Sequence, residues 1–265
     1  MSPNWAIEPT ESGLEFLAWD SNHFGFLVGR LPEENIDDLE LTKGLESARR
    51  ANYRLVYWAT RPDRAVSERL LADYAGRLVD RRAVYEMAGL DAQPTHLHKM
   101  PVSGYRILRQ PPGNASPRLI ALGIAAGADS RFLSDKRIRR EQFESLYEIW
   151  VQRSTSRELA DEVLVAVPNE GQEIGLVTIK VRDGVGQIGL IAVAEEARCR
   201  GVGSQLVLAA HRWMAKNGAV RAKVITQSCN QAACRLYSQL GYHLFEVSNI
   251  YHFWPLEKSH GSSGS

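Results

Sequence analysis

The stretch Gln187-Ile188-Gly189-Leu190-Ile191-Ala192-Val193-Ala194-Glu195-Glu196-Ala197-Arg198-Cys199-Arg200-Gly201-Val202-Gly203 decides the fold. An apolar run of strand length ends at Val193, a short acidic turn follows, and Arg198-x-x-Gly201-x-Gly203 then opens a segment with helical periodicity. Glycines let the backbone approach an anion closely, and the amide N–H groups at a helix N-terminus point along the positive end of the macrodipole. Arg198 and Arg200 add charge-assisted donors, so the pattern suits a diphosphate. It is neither a Walker A loop, because no Gly-Lys-Ser/Thr follows, nor a G-x-G-x-x-G dinucleotide fingerprint. On its own it reads equally as a structural strand-to-helix turn.

Two features together remove that ambiguity. Arg/Gln-x-x-Gly-x-Gly/Ala after a fourth strand is the signature of the GCN5-related N-acetyltransferase superfamily, which the chain resembles at all fixed positions from Arg198 to Gly203. A second signature follows as Asn230-x-x-Ala233-x-x-x-Tyr237-x-x-x-Gly241-Tyr242. Its spacing places Asn230 and Tyr237 about two turns apart on one helical face. The resemblance implies acetyl-CoA as co-substrate, with no metal. Its diphosphate would be held by Arg198, Cys199, Arg200, Gly201, Val202 and Gly203. Its pantetheine arm would lie along a strand splayed by a bulge, at Ile191, Ala192 and Val193, where a backbone N–H would polarise the acetyl carbonyl. Asn230 would bond the arm, and Tyr237 would be the general acid for the departing thiolate. A lone helical Tyr usually packs and a lone Asn at a helix start usually caps; the ordered set argues against those readings.

Working outward, residues 163–168, 173–182 and 187–193 form an expected antiparallel meander, turned at Gly171 and Asp183-Gly184. A helix at 203–217, a strand at 220–226, a helix at 231–240 and a strand-rich end at 242–254 follow. Ahead of the meander lie a strand at 105–109, a turn at Pro111-Pro112-Gly113-Asn114, and helices at 117–126 and 139–153. Phe143, Leu146, Tyr147 and Trp150 line one face of the later helix and read as core. In the first third, Leu14-Glu15-Phe16-Leu17 and Phe26-Leu27-Val28 read as strands flanking a binding loop from Trp19 to Gly25. A helix at 37–51, a strand at 55–59, a helix opened by Pro62 and running to about 74, and two short strands at Leu78-Val79 and 83–87 complete a small α/β unit. Residues 91–102, with Pro94, His96, His98 and Pro101, read as a linker. The expected architecture is α/β: a mixed, mostly antiparallel sheet flanked by helices in the GCN5-related acetyltransferase fold, preceded by a smaller α/β unit. The domains are 1–100 (N-terminal), 101–258 (acetyl-CoA-binding) and 259–265 (flexible tail).

Composition narrows the class further. The chain has 265 residues, 44% apolar and 24% charged, which fits ordinary globular domains rather than disorder. A net charge of +1 gives no global field for nucleic acid or an anionic membrane, so any anion site is local. Cys199, Cys229 and Cys234 are odd in number and lack finger spacing, which argues against a disulfide framework or structural zinc. With no signal-peptide core or membrane span, the expected compartment is the cytoplasm.

The acceptor is legible only through a finer resemblance, to the sugar-nucleotide branch typified by TDP-fucosamine acetyltransferase. Trp19-Asp20-Ser21-Asn22-His23-Phe24-Gly25 is similar to a Trp-acid-polar-x-x-Phe-Gly turn of that branch, and Ser130-Arg131-Phe132 precedes an aromatic helix as there. This implies a nucleotide-linked amino sugar contacted by Trp19, Asp20, Ser21, Phe24, Ser130, Arg131 and Phe132. Such a ligand needs an aromatic surface, a cation and polar groups. Other acceptors stay open: an aminoglycoside, a small amine or a protein N-terminus, as does a noncatalytic acyl-CoA-binding module. No partner beyond a small molecule is expected; dimerisation through exposed strands is left open. Neither Cys199 nor Cys229 has a His at a nucleophile's spacing, so transfer is expected to be direct. Asp20, His23 and Glu195 are candidates by position for the base that takes the amine's proton.

Overall fold

The computed structural model describes residues 13–32, 36–90 and 104–257. The expected linker at 91–102 and the tail at 259–265 lie outside the described residues. The described residues divide into two units, one from 13–82, Ser134–Arg137 and 247–257, the other from 83–133 and Ile138–Glu246.

In the first unit β1 (Glu15–Phe16), α1 (Ala18–Phe24), β2 (Val28–Arg30), α2 (Asp38–Arg50), β3 (Leu55–Thr60), α3 (Glu68–Asp73) and the start of β4 (Arg77–Ala88) follow one another. The end of β10 (His243–Phe253) is inserted between β3 and β4, giving the strand order β1-β2-β3-β10-β4. All six residues of β3 are buried, as expected of a central strand covered on both faces. Helix α2 starts with a capping box, in which the Asp37 carboxylate accepts from the Glu40 N–H while the Glu40 carboxylate accepts from the Asp37 N–H. Its Leu41, Leu45 and Ala48, at helical spacing, pack with Trp58, Tyr251 and Phe253 in one core cluster.

Three local expectations need correction here. Residues 19–25 are not an open loop: Ala18–Phe24 is a helix closed by Gly25 at φ 77°. Turn-forming Asp20, Ser21 and Asn22 obscured it, but Ser21 and Phe24, three apart, are both buried, Asp20 sits in the first turn and His23 in the last, as the macrodipole favours. The helix expected from Pro62 begins instead at Glu68, capped by the Ser67 hydroxyl. The Arg64 guanidinium donates to the Ile36 carbonyl and to the Asp38 carboxylate at 2.7 Å, which holds the preceding residues against the start of α2. The two short strands at 78–87 are one twelve-residue strand, whose half-exposed Asp80-Arg81-Arg82 breaks the apolar pattern without breaking the backbone.

The segment 134–137 is anchored inside this unit by a buried carboxylate. Asp135, 2% exposed, accepts from His252 Nδ1 at 2.8 Å and the Trp254 indole at 3.0 Å through Oδ2, and from the Arg137 N–H at 3.1 Å through Oδ1. Burial alone would push its carboxyl up, but these donors, His252 first, hold it below the ordinary carboxylate range.

The second unit contains β5 (Tyr105–Arg109), α4 (Pro117–Ala126), most of α5 (Arg131–Ser134), α6 (Arg140–Thr155), β6 (Glu162–Pro168), β7 (Gly175–Arg182), β8 (Val185–Val193), α7 (Val202–Lys216), β9 (Arg221–Gln227) and α8 (Gln231–Gln239). Its strand order is β4-β9-β8-β7-β6-β5. Strands β5 to β8 are the antiparallel meander, while β8 and β9 are parallel. Phe143, Leu146 and Tyr147 of α6 are buried and Trp150 half-buried, so the aromatic stripe is core. Glu162, fully buried, is ion-paired by Arg109 and Arg157 and accepts from the Val163 N–H at 3.0 Å, tying β5, β6 and the end of α6. Among the described residues no helix is long and apolar enough to cross a membrane.

Candidate active site

The site begins where two parallel strands part. Strands β8 and β9 pair from Val185↔Arg221 to Ile188↔Val224, yet β8 continues to Val193 and β9 to Gln227. Opposite the point of parting, the β7–β8 register shifts between Val177 and Ile179. There the Thr178 hydroxyl accepts the Leu190 N–H at 2.8 Å, replacing a ladder bond by a side chain. Past Ile188, Ile191 to Val193 therefore present strand backbone on the side where β9 has turned away.

Each parting strand feeds a helix. From β8 the chain passes through the short 3-10 turn Glu195–Ala197 and rises at Arg198 to Gly201, the N-cap of α7. Gly201 has φ 78°, no side chain caps the helix, and a Cβ added at Gly201 would meet nothing within 4 Å. Cys199 shares the left-handed conformation at φ 58°. The first amides of this fifteen-residue helix thus receive no side-chain cap, which leaves them as donors for an anion. Arg198 is exposed, and its Nε donates to the Val193 carbonyl at 3.3 Å, which steers the guanidinium over the end of β8. Gly203 lies against both Val193 and Leu236: an added Cβ would stand 3.7 Å from the one side chain and 3.5 Å from the other. That contact brings the start of α7, the end of β8 and the middle of α8 to one place.

On α8 the two expected residues split their roles. Asn230 is the N-cap: its Oδ1 accepts the Ala233 N–H at 3.0 Å, so the carbonyl half of the side chain serves the helix and the amide half keeps its two donors for other work. Tyr237 is 2% exposed, its ring between Tyr85 at 6.0 Å and Tyr242 at 5.6 Å. No hydrogen bond to its hydroxyl forms among the described residues. Burial pushes the Tyr237 phenol well above its ordinary range, with a smaller push from neighbouring Cys234. A phenol held protonated at neutral pH is a donor, which is what a general acid requires. Behind it, the Tyr242 hydroxyl and His211 Nε2 lie 2.9 Å apart, both residues buried. Neither Tyr85 nor His211 carries a local motif; only the alternation along β4, which buries Tyr85 with Ala83 and Met87, marks the first of them.

The residues expected to meet an acceptor fall in different environments. In the first unit Trp19 is 42% exposed and stacks on His23 at 5.3 Å, and Asp20 Oδ1 accepts the Tyr57 hydroxyl at 3.1 Å. Ser21 is fully buried, its hydroxyl accepting the Val28 N–H at 2.9 Å, and Phe24 is buried beside Phe26. These two hold α1 to β2. In the second unit Ser130 is buried, while the half-buried Arg131 guanidinium stacks 4.7 Å from the Phe132 ring. Glu195 is exposed, one turn ahead of the cradle. Cys199 and Cys229 are both exposed. Among the described residues no group of three or more His, Cys, Asp or Glu is placed to hold a metal.

The sequence model of the acetyltransferase (GNAT) family matches residues 132–242. An uncharacterized N-acetyltransferase, YobR, of Bacillus subtilis (strain 168) is 39% identical over 65 residues, covering 24% of this chain and 26% of that protein. The chain thus spans about a quarter of that relative's length. A functionally unknown conserved protein from Staphylococcus epidermidis ATCC 12228 shares the fold at a TM-score of 0.60 and 15% identity, over 94% of this chain and 92% of that one. A GCN5-related N-acetyltransferase from Sphaerobacter thermophilus does so at 0.54 and 18%, over 90% and 75%.

Proposed function

We propose that this protein, whose residues 132–242 match the sequence model of the acetyltransferase (GNAT) family, moves the acetyl group of acetyl-CoA directly onto the amine of a nucleotide-linked amino sugar. The observation that carries the transfer is the convergence at Gly203, where an uncapped helix N-terminus and the strand end at Val193 meet the helix that bears Asn230 and buried Tyr237. Anion site, extended arm and proton donor are then supplied by three adjoining elements.

Bound acetyl-CoA would supply the activated carbonyl and the thiol leaving group. The amides from Cys199 to Gly203, with Arg198 and Arg200, would take its diphosphate, and the backbone of Ile191 to Val193 would align the arm as an added strand. An N–H of that strand donates to the acetyl carbonyl oxygen as charge develops on it, and the Asn230 amide donates to the arm. Tyr237 gives its proton to the departing sulfur, a role its raised ionisation preserves across neutral pH. The amine attacks in its neutral form; the C–N bond forms as the C–S bond breaks, and the proton that the nitrogen sheds returns through solvent to Tyr237, restoring the phenol. No acyl-enzyme is needed, and the three cysteines stay outside the chemistry.

For the acceptor, Arg131 with Phe132 offers a cation–ring pair in the second unit. Ser21 and Phe24 are committed to folding, holding the helix that carries the exposed Trp19 ring. The test is purified protein with acetyl-CoA and a panel of TDP- and UDP-linked amino sugars, aminoglycosides, small amines and peptides, read by free thiol. Turnover on the nucleotide sugars is expected. Turnover confined to another class refutes the acceptor and keeps the donor; tight acetyl-CoA binding with no thiol from any amine favours a noncatalytic acyl-CoA-binding module.

A further inference from the structure

The family match spans residues 132–242, yet the ring closest in sequence to none of its motifs, Tyr85 on β4, lies against the middle of α8. Its ring centroid is 6.0 Å from that of Tyr237, inclined by 46°. Its hydroxyl faces Cys234 and Ser238, which stand four apart on α8 and bracket Tyr237, and the Cys234 thiol in turn donates to the Gln227 carbonyl at 3.7 Å. Two residues on, Met87 shares the face of β4 and supports the end of α8: a Cβ added at Gly241 would stand 3.3 Å from its sulfur. Strand β4 therefore supports α8 through Tyr85 and Met87.

We propose that Tyr85 is a positioning residue for acetyl transfer, its hydroxyl clamping Cys234 and Ser238 so that Tyr237 is held at one rotation and depth. A phenol buried to 2% exposure has packing on its sides but, among the described residues, no hydrogen bond to fix its hydroxyl. Its aim is set by the helix that carries it. A small rotation of α8 would carry the Tyr237 oxygen off the sulfur it must protonate, and proton transfer is steep in that distance. The hydrogen bond to Cys234, followed by burial, pushes the Tyr85 phenol up, so the clamp persists through neutral pH. This inference rests on the general-acid reading of Tyr237.

Tyr85→Phe keeps the ring and removes the hydroxyl. With the best acceptor from the panel, kcat is expected to fall about tenfold with KM for acetyl-CoA unchanged. Combining it with Cys234→Ala and Ser238→Ala should add little further loss, because all three remove the same clamp. A second readout needs no turnover: in protein carrying 13C-labelled tyrosine, the Tyr237 ring resonance, assigned by its disappearance in Tyr237→Phe, should shift or broaden in Tyr85→Phe. Unchanged kcat and an unchanged resonance in folded Tyr85→Phe would overturn the proposal. If Tyr237→Phe itself keeps full kcat, the general-acid reading fails instead; a slow Tyr237→Phe beside a full-speed Tyr85→Phe sinks the clamp alone.

Discussion

Replacing Gly201 by Ala separates the two jobs that this residue performs. At φ 78° an L side chain costs about 1–2 kcal/mol. Alanine's stiffer unfolded chain returns about 0.5–1 kcal/mol. No clash adds to this, since the new Cβ meets nothing within 4 Å. The net loss of about 1 kcal/mol should lower the melting temperature by about 2–4 °C in a chain of this size. The methyl would, however, enter the space through which a diphosphate reaches the first amides of α7. Losing one amide bond to a charged oxygen is worth about 1.5–3 kcal/mol, so the dissociation constant for acetyl-CoA should rise about ten- to hundredfold. Gly218→Ala, past the other end of α7, is the matched control: its φ is 84° and an added Cβ meets nothing within 4 Å, so it should lose the same few degrees and bind acetyl-CoA as tightly as the parent. Calorimetric titration with acetyl-CoA beside thermal unfolding gives both numbers. A Gly201→Ala protein that loses its few degrees yet binds acetyl-CoA at full strength would refute the cradle.

Two further expectations concern the frame around the site. The Asp135 carboxyl is held below its ordinary range in the folded state, so its contribution to stability is present above about pH 4 and fades as pH falls through the depressed value. Asp135→Asn should flatten that acid limb and cost about 1–3 kcal/mol at neutral pH; unfolding curves between pH 3 and pH 7 that superimpose in shape with the parent's would contradict it. Glu162→Gln strands the Arg157 guanidinium, only 20% exposed, without its buried counter-charge, and should cost about 3 kcal/mol by denaturant titration. A loss below about 1 kcal/mol would mean that the pair is as weak as a surface one.

What could be read in the sequence was what is local. The strand, acidic turn, Arg198 and the two glycines are consecutive, and their reason is conformational, so the β8–α7 junction stood out before any contact was known. Asn230 and Tyr237 were legible as a pair because a helix turns spacing into a shared face, but the capping bond of Asn230 and the burial of Tyr237 depend on what surrounds α8. Helix α1 was hidden by residues that favour turns, and only the burial of Ser21 and Phe24 against β2 resolves the competition. Where α3 begins depends on Arg64 reaching back to Ile36 and Asp38. Asp135 and His252, Glu162 and Arg109, and Tyr85 with Cys234 are joined across long stretches of chain by sheet topology, and no periodicity announces them.

The transfer step rests on the protonation of one buried phenol, Tyr237. Single-turnover acetyl transfer, measured against pH for the parent and for Tyr237→Phe, reports whether that proton reaches the departing sulfur. Because burial raises the Tyr237 phenol, the parent's rate should not decline through loss of that proton up to about pH 10. Tyr237→Phe should bind acetyl-CoA as tightly as the parent and transfer acetyl about a hundredfold more slowly at neutral pH. A Tyr237→Phe protein that transfers acetyl at the parent's rate across that range would contradict the assignment of Tyr237 as the acid.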